Sequence, residues 1–261
     1  MTRIALTGAT GRVGSRLLPR LLARGYEVTA LVRTGTVPGA TVVNGDLNDD
    51  NALKELVHGA DAVLHLAAGL RTDTDHEATN VGGTRKLVEA AREVPRFVHV
   101  STNLVYPEGL GRPSTEDDPA EPPVQWGEYA RTKALGEKAT NGTIVRLAFV
   151  YGDGDPHLRE ALRWASTWPA HHRLHLIHHA DVAQALFLAL DAPHTGIYNA
   201  ADDSPMTAAE LHQINGVPLP AEPTQHPDPW HGIVSTNRIQ RELGFRPRFP
   251  SAWSAYHAGA L

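Results

Sequence analysis

A doubly wound parallel α/β sheet with a small C-terminal lobe is the architecture this sequence predicts, on three grounds. Short apolar runs alternate with helical stretches from Arg3 to Val150, the rhythm of strands joined by crossover helices. A glycine-rich turn, Thr7-Gly8-Ala9-Thr10-Gly11-Arg12-Val13-Gly14, follows the first apolar run directly and opens the first helix. After Gly152 the pieces become shorter and prolines interrupt them, which suits a lobe seated on the carboxyl edge of a sheet.

Taken in order, Arg3 to Leu6 predicts a buried strand and Ser15 to Ala23 a helix, stopped by Gly25. Tyr26 to Val32 and Ala40 to Asn44 predict the next two strands. Asn48 to His58 is a helix opened by acidic residues, which suit a helix N-terminus. Ala60 to Ala67 reads as a strand, Thr74 to Glu93 as a helix and Arg96 to Ser101 as a fifth strand. Glu108 to Pro123, rich in Pro, Gly and acid, predicts a loop. A helix over Trp126 to Thr140 and a strand over Thr143 to Val150 complete a Rossmann-type sheet in residues 1–152. Residues 153–261 are expected to form the small substrate lobe, with parts of the chain crossing between the two. Its elements are helices at Pro156 to Thr167, Asp181 to Leu190, Thr207 to Gln213 and Thr236 to Leu243, with a short strand at Gly196 to Ala200. The proline-rich stretch from Gly216 to Trp230 is expected to run as a surface loop.

Composition narrows the function classes. The net charge of −5 gives no reason to expect nucleic acid or an anionic membrane as a partner. The absence of cysteine excludes thiolate catalysis, thiolate metal sites and disulfides. No apolar run is long enough to span a bilayer and no secretory signal precedes the first strand, so a cytoplasmic location is expected.

A glycine turn between a strand and a helix lets backbone N–H groups approach a pyrophosphate at the positive end of the helix. The spacing here is G-x-x-G-x-x-G rather than the commoner G-x-G-x-x-G. An acid at the end of the second strand selects NAD in such sheets by binding the ribose hydroxyls. Here the strand ends Leu31-Val32-Arg33. Arg33 is placed to pair with a 2′-phosphate and Arg12 could supply a second guanidinium, so NADP(H) is the expected cofactor and NAD(H) the second choice. Asp46 is either an acceptor for the adenine amino group or a turn former.

Tyr129 and Lys133 lie four residues apart on a predicted helix and so share a face. A phenol is a poor acid or base near neutrality, and a neighbouring ammonium is expected to lower its pKa and make Tyr129 a general acid/base. Ser101 and Thr102 sit at the carboxyl end of the fifth strand, where open α/β sheets bind ligands, and compete to hold a substrate carbonyl. In the lobe, Trp164, Trp168 and His175 are pocket-lining candidates, with core or lid packing the competing use of the tryptophans. The histidine-rich run from His171 to His179 lacks the acids and fixed helical spacing of a metal site and is expected to be a strand of the lobe; no metal is expected. His65 reads as a hydrogen-bonded core histidine.

With these residues in view, the sequence resembles the extended short-chain dehydrogenase/reductases of the NAD(P)-dependent epimerase/dehydratase type over nearly its whole length. The motifs are TGATGRVG at 7–14, GDL at 45–47, HLAA at 65–68, NVGGT at 80–84, STNLVY at 101–106, YARTK at 129–133, RLAFVYG at 146–152 and HHADVAQA at 178–185. The resemblance implies that Tyr129 exchanges the proton, that Lys133 binds the nicotinamide ribose and lowers the tyrosine pKa, and that Thr102 is the catalytic hydroxyl. It implies a dinucleotide lined by Gly8, Thr10, Gly11, Arg12, Val13, Arg33, Asp46, Leu47, Leu66, Ala67, Ala68 and Lys133, and an Asn80 that shapes the helix behind the site. It also implies a homodimer through the helices at Thr74 to Glu93 and Trp126 to Thr140.

Two departures from the family pattern direct the functional expectation. The connection from Tyr151-Gly152 to Ile177-His178 is short for a nucleotide-sugar clamp. Asn103-Leu104 stands where 4,6-dehydratases resemble one another in an Asp-Glu pair. The expected activity is therefore NADPH-linked reduction of a carbonyl, or its reverse, on a small substrate that Asn103, Trp164 and His175 would contact. An epimerase with retained cofactor and a redox-sensing binding protein are the rivals. The intact Thr102, Tyr129 and Lys133 argue against the sensor, which needs no proton relay.

Overall fold

The computed structural model describes residues 1–70, 75–220 and 228–261. Thr74 and residues 221–227 of the expected loop lie outside the described residues. Strands β1 (Arg3–Thr7), β2 (Glu27–Val32) and β3 (Thr41–Asn44) alternate with helices α1 (Gly14–Ala23) and α2 (Asp50–Val57). Strand β4 (Ala62–His65) leads to a π-helical segment (Glu77–Gly83) that runs on as α3 (Thr84–Ala90). Strand β5 (Arg96–Thr102), helix α4 (Gly127–Lys138) and strand β6 (Thr143–Leu147) follow.

Beyond β6, strand β7 (Phe149–Tyr151), the one-turn helices α5 (His157–Glu160) and α6 (Leu162–Ala165), and strands β8 (Arg173–Leu174) and β9 (Leu176–His178) lead into helix α7 (His179–Asp191). Strands β10 (Ile197–Ala200) and β11 (Met206–Thr207) and helices α8 (Ala208–Ile214), α9 (Asn237–Leu243) and α10 (Ala252–His257) complete the described chain.

Seven strands form one sheet in the order β3-β2-β1-β4-β5-β6-β10, and every pairing in it is parallel. Alternation along β1 shows why the sheet is buried twice over. Ile4 and Leu6 join the core under α1 and α7, while Ala5 faces the other way into the core under α2 and α3. Each fully buried leucine in these layers contributes about 2 kcal/mol. Parallel strands put all their carboxyl ends at one edge, and the strand order reverses between β1 and β4. That reversal opens the crevice in which such sheets bind ligands.

The structure redraws several expectations. The run from Thr143 to Val150 is two strands: Ala148 N–H still donates to Ala200 in the sheet, but Phe149 N–H donates to His175 (3.0 Å each). From there β7 pairs with β9. The strand near Ala200, assigned above to the lobe, is the seventh strand of the main sheet, because Ile197–Ala200 pairs with β6 and buries Tyr198, Asn199 and Ala200. Helix α7 likewise covers the sheet, contributing Val182, Leu186 and Leu190 to its core. What remains as a separate lobe is a third core around Tyr151, Leu158, Leu176, Met206, Leu211 and Phe249. The single helix expected at Pro156 to Thr167 is split into α5 and α6. Helix α10 was not anticipated, although Ser251 caps it in a reciprocal box with Ser254. No helix among the described residues is long and apolar enough to cross a membrane.

Candidate active site

The glycine turn is shaped by contacts that leave no room for side chains. Gly8 has φ +76°, open to glycine at no steric cost. A Cβ there would lie 2.7 Å from Ala67 N. A Cβ on Gly14 would lie 2.1 Å from Gly8 O, so α1 starts directly against the turn. Gly11 N–H donates to Gly8 O (3.0 Å) and Ser15 N–H to Gly11 O (2.9 Å). Thr10 and Gly11 are exposed at the rim and Val13 is half-buried beside them. The half-buried backbone of Leu66, Ala67 and Ala68 forms the facing wall, so the segments expected to cradle a dinucleotide are in direct contact.

The two arginines are used differently. Arg33, just past β2, is exposed and engages no carboxylate among the described residues. Arg12 is already neutralised: its guanidinium pairs with Asp155 and, at 2.9 Å, with Glu160. Asp155 in turn accepts from His179 Nε2 (2.8 Å), and Arg20 reaches Asp153 (2.7 Å). Arg12 therefore straps the turn to the segment after β7, which the sequence reading did not foresee. Asp46 is exposed and its Oδ1 accepts from Asn48 N–H (2.7 Å), the turn-forming use. Leu47 is buried against Gly83, where a Cβ would come within 2.6 Å of the leucine Cβ.

A directed chain of hydrogen bonds ties this cradle to the helix behind it. Ala67 N–H donates to Thr7 Oγ1 (3.2 Å), whose hydroxyl faces His65 Nδ1 (2.7 Å). His65 Nε2 meets Thr84 Oγ1 (2.9 Å), which donates to Asn80 O (2.7 Å). Thr84 spends its only proton on Asn80, so the His65 proton sits on Nε2. Burial pushes His65 down to about 3, so the ring is neutral, as expected of a satisfied core histidine. Asn80 then accepts from Gly69 N–H (2.7 Å) and donates to Thr132 Oγ1 on α4 (3.0 Å). The widened π-helical turn carries Asn80 across the space between β4 and α4.

On α4, Tyr129 faces Thr102 at the end of β5, while Ser101 is buried one residue earlier. Thr102 Oγ1 also accepts from Leu104 N–H (3.3 Å). Burial pushes the Tyr129 phenol up to about 12, although its hydrogen bond with Thr102 pulls the other way. The expectation that Lys133 lowers this pKa is corrected here. Its Nζ is drawn instead to Val100 O (2.7 Å) and His99 Nε2 (3.3 Å). Burial brings Lys133 itself down to about 8 against the opposing pull of Glu137. Desolvation outweighs the charge pairing that the spacing alone suggested.

These elements match a known family. Residues 4–201 match the family described as NAD dependent epimerase/dehydratase. The chain belongs to that family. Among its curated relatives is a 4-hydroxy-2-methyl-3-oxo-4-farnesyl-3,4-dihydroquinoline-1-oxide ketoreductase of Stigmatella aurantiaca, 32% identical over 98% of this chain and 79% of the relative. A UDP-glucose 4-epimerase of Corynebacterium glutamicum is 27% identical over 94% of this chain and 91% of its own. Among solved structures, a short-chain dehydrogenase/reductase superfamily protein of Agrobacterium tumefaciens with bound NAD superposes with TM-score 0.77 at 25% identity, covering 98% and 97% of the two chains. The family is one of NAD(P)-dependent oxidoreductases and epimerases, and this chain is an enzyme of that type with a nicotinamide cofactor.

For this epimerase/dehydratase family member, the substrate-side expectations resolve unevenly. Asn103 is buried beside Thr102, but its Nδ2 donates to Gly232 O (2.5 Å) and so anchors a late segment over the site. His175 has both ring nitrogens on backbone: Nδ1 accepts from Val234 N–H (3.2 Å) and Nε2 donates to Asp202 O (2.9 Å). Burial lowers it to about 4, and it acts as a neutral strut. Trp164 is 40% exposed and packs edge-on against Phe149. Trp168 meets His172. His178 caps α7 and bonds Ala260 O (2.7 Å), and no cluster among the described residues could hold a metal. The sequence reading missed Trp126, one turn before Tyr129. It stacks flat on His231 (centroids 3.8 Å apart), and its Nε1 donates to Glu108 (3.1 Å). Only the fold brings residues 108, 126 and 231 together.

Proposed function

We propose that this protein is an NADP(H)-dependent reductase, or dehydrogenase in reverse, acting on a carbonyl or carbinol carbon of a small substrate. The observation that carries the reading is the hydrogen bond of Tyr129 with Thr102 at the carboxyl end of β5, with Lys133 one turn along α4 bonded to Val100 of the same strand. The residues present fit a dinucleotide: without side chains at Gly8 and Gly14 the turn packs directly on Ala67 and on its own backbone, which sets it at the start of α1, where helix N–H groups are open to a phosphate. When bound, the nicotinamide supplies or takes the hydride. Gly8 to Val13 would hold the pyrophosphate, Leu66 to Ala68 the adjoining wall, and Lys133 the nicotinamide ribose. Arg33, exposed and with no carboxylate partner among the described residues, would read the 2′-phosphate.

Thr102 would hold the substrate oxygen beside the phenol. A phenol kept protonated by burial is ready to give its proton to a developing alkoxide, which is the reduction direction. The ketoreductase relative agrees with this direction. The epimerase relatives keep a second reading open, oxidation and re-reduction of one carbon with retained cofactor.

The test is a panel of carbonyl compounds and sugars followed by NADPH absorbance, run beside NADH. Tyr129→Phe is expected to lower turnover by about a thousandfold with NADPH affinity unchanged. Undiminished turnover in that variant overturns the mechanism, and dinucleotide that co-purifies in stoichiometric amount favours the epimerase.

A further inference from the structure

Thr7, His65 and His99 stand side by side in register across β1, β4 and β5, a polar row inside an apolar sheet. The first two belong to the hydrogen-bond chain described above. His99 does not. It is fully buried, its Nδ1 meets no partner among the described residues, and its Nε2 lies 3.3 Å from Lys133 Nζ. An ammonium has only protons to offer, so His99 meets it with a lone pair and carries its own proton on the unpartnered Nδ1.

We propose that His99 is a positioning residue for Lys133: its Nε2 and the Val100 carbonyl take two ammonium protons and leave the third for the nicotinamide ribose. This rests on the proposed role of Lys133. Burial, Lys133 and His65 hold the His99 pKa well below its ordinary value, so the acceptor is neutral. Neutrality suits the task. A carboxylate here would hold the lysine equally well but would neutralise the ammonium charge proposed to face the cofactor. The groups that act on Lys133 are His99 from β5, with the His65 ring 5.0 Å from it, and Glu137 from its own helix, where Tyr129 lies one turn before. Glu137 is itself paired with Arg146 (2.6 Å).

The test measures NADPH affinity of the whole chain by fluorescence quenching between about pH 6 and pH 9.5. The wild type is expected to lose affinity as Lys133 deprotonates. His99→Leu removes the acceptor and is expected to move that midpoint down by about one pH unit. His99→Asn, whose amide reaches only the Nδ1 position, should behave like His99→Leu. His99→Gln, which puts an amide oxygen near Nε2, should stay within about twofold of wild type. If His99→Leu does not fold, the Asn and Gln variants still decide. Wild-type midpoints in the Leu and Asn variants, or equal loss in the Gln variant, overturn the proposal. Lys133→Met separates the two readings. If it abolishes the alkaline loss while His99→Leu leaves the midpoint in place, the His99 assignment alone falls. If it retains that loss, Lys133 is not the ribose ligand and both fall.

Discussion

The side of this site proposed to hold the cofactor is made from backbone within two short segments, Thr7–Gly14 and Leu66–Gly69. The side proposed to face substrate is made from side-chain bonds between distant segments, such as Asn103 with Gly232, 129 residues on. In the first, glycines set the shape by what they omit, and a turn, a strand end and a helix start suffice. In the second, Trp126, His231 and Glu108 have shape only after the whole chain has folded.

The comparison can be broken most severely at Gly14. Gly14→Val places carbon where Gly8 O already sits. The variant is expected to lose NADPH and NADH binding alike by about a hundredfold or more, with a stability loss of about 3 kcal/mol seen in urea unfolding. The arginines sharpen the cofactor side. Arg33→Ala is expected to weaken NADPH by about ten- to a hundredfold and to spare NADH; equal losses would defeat the NADP(H) assignment. Arg12→Ala should leave the NADPH/NADH ratio nearly unchanged and lower the melting temperature, because its partners are Asp155 and Glu160. On the substrate side, Asn103→Ala is expected to raise substrate KM several-fold and to cost about 1 kcal/mol of stability, with cofactor Kd unmoved.

The smallest effect is a titration. His65 (about 3), His175 (about 4) and His179 (about 4) all have folded pKa values below the ordinary histidine value of 6.5. Between those values and 6.5 the unfolded chain binds more protons, so stability is full above pH 6.5 and falls as the pH drops towards 4. Asp202, raised to about 9 by burial, contributes with the opposite sign throughout that range and on up to about pH 9, but binds one proton against the three histidines' three. Melting temperatures across this window should decline with acid; a flat profile would mean that the buried histidines are not neutral struts.

How much of this was legible before folding can be argued residue by residue. The sheet, the glycine turn and the Tyr129–Lys133 spacing were readable, since strand alternation, glycine placement and helical periodicity are local. The break at Ala148, the return of Ile197–Ala200 to the main sheet and the π-helical turn around Asn80 were not. Each is decided by a partner far away: Ala200 and His175 for Ala148-Phe149, β6 for β10, and Thr132 and Gly69 for Asn80. Arg12 read as a phosphate ligand because its two carboxylate partners lie 143 and 148 residues on.

By itself the sequence determined the parallel α/β architecture, the family and which residues are proposed for the phosphate cradle and proton relay. Those depend on chemistry carried within a strand, a turn or a helical face. Only the tertiary structure decided how the groups are charged and what they touch. Tyr129 stays protonated because it is buried, Lys133 turns to His99 because that acceptor lies on β5, the strand α4 packs against, and His175 is a strut because Val234 and Asp202 close on it. Burial and long-range partners set a group's protonation and bonding, and neither exists until the chain has folded.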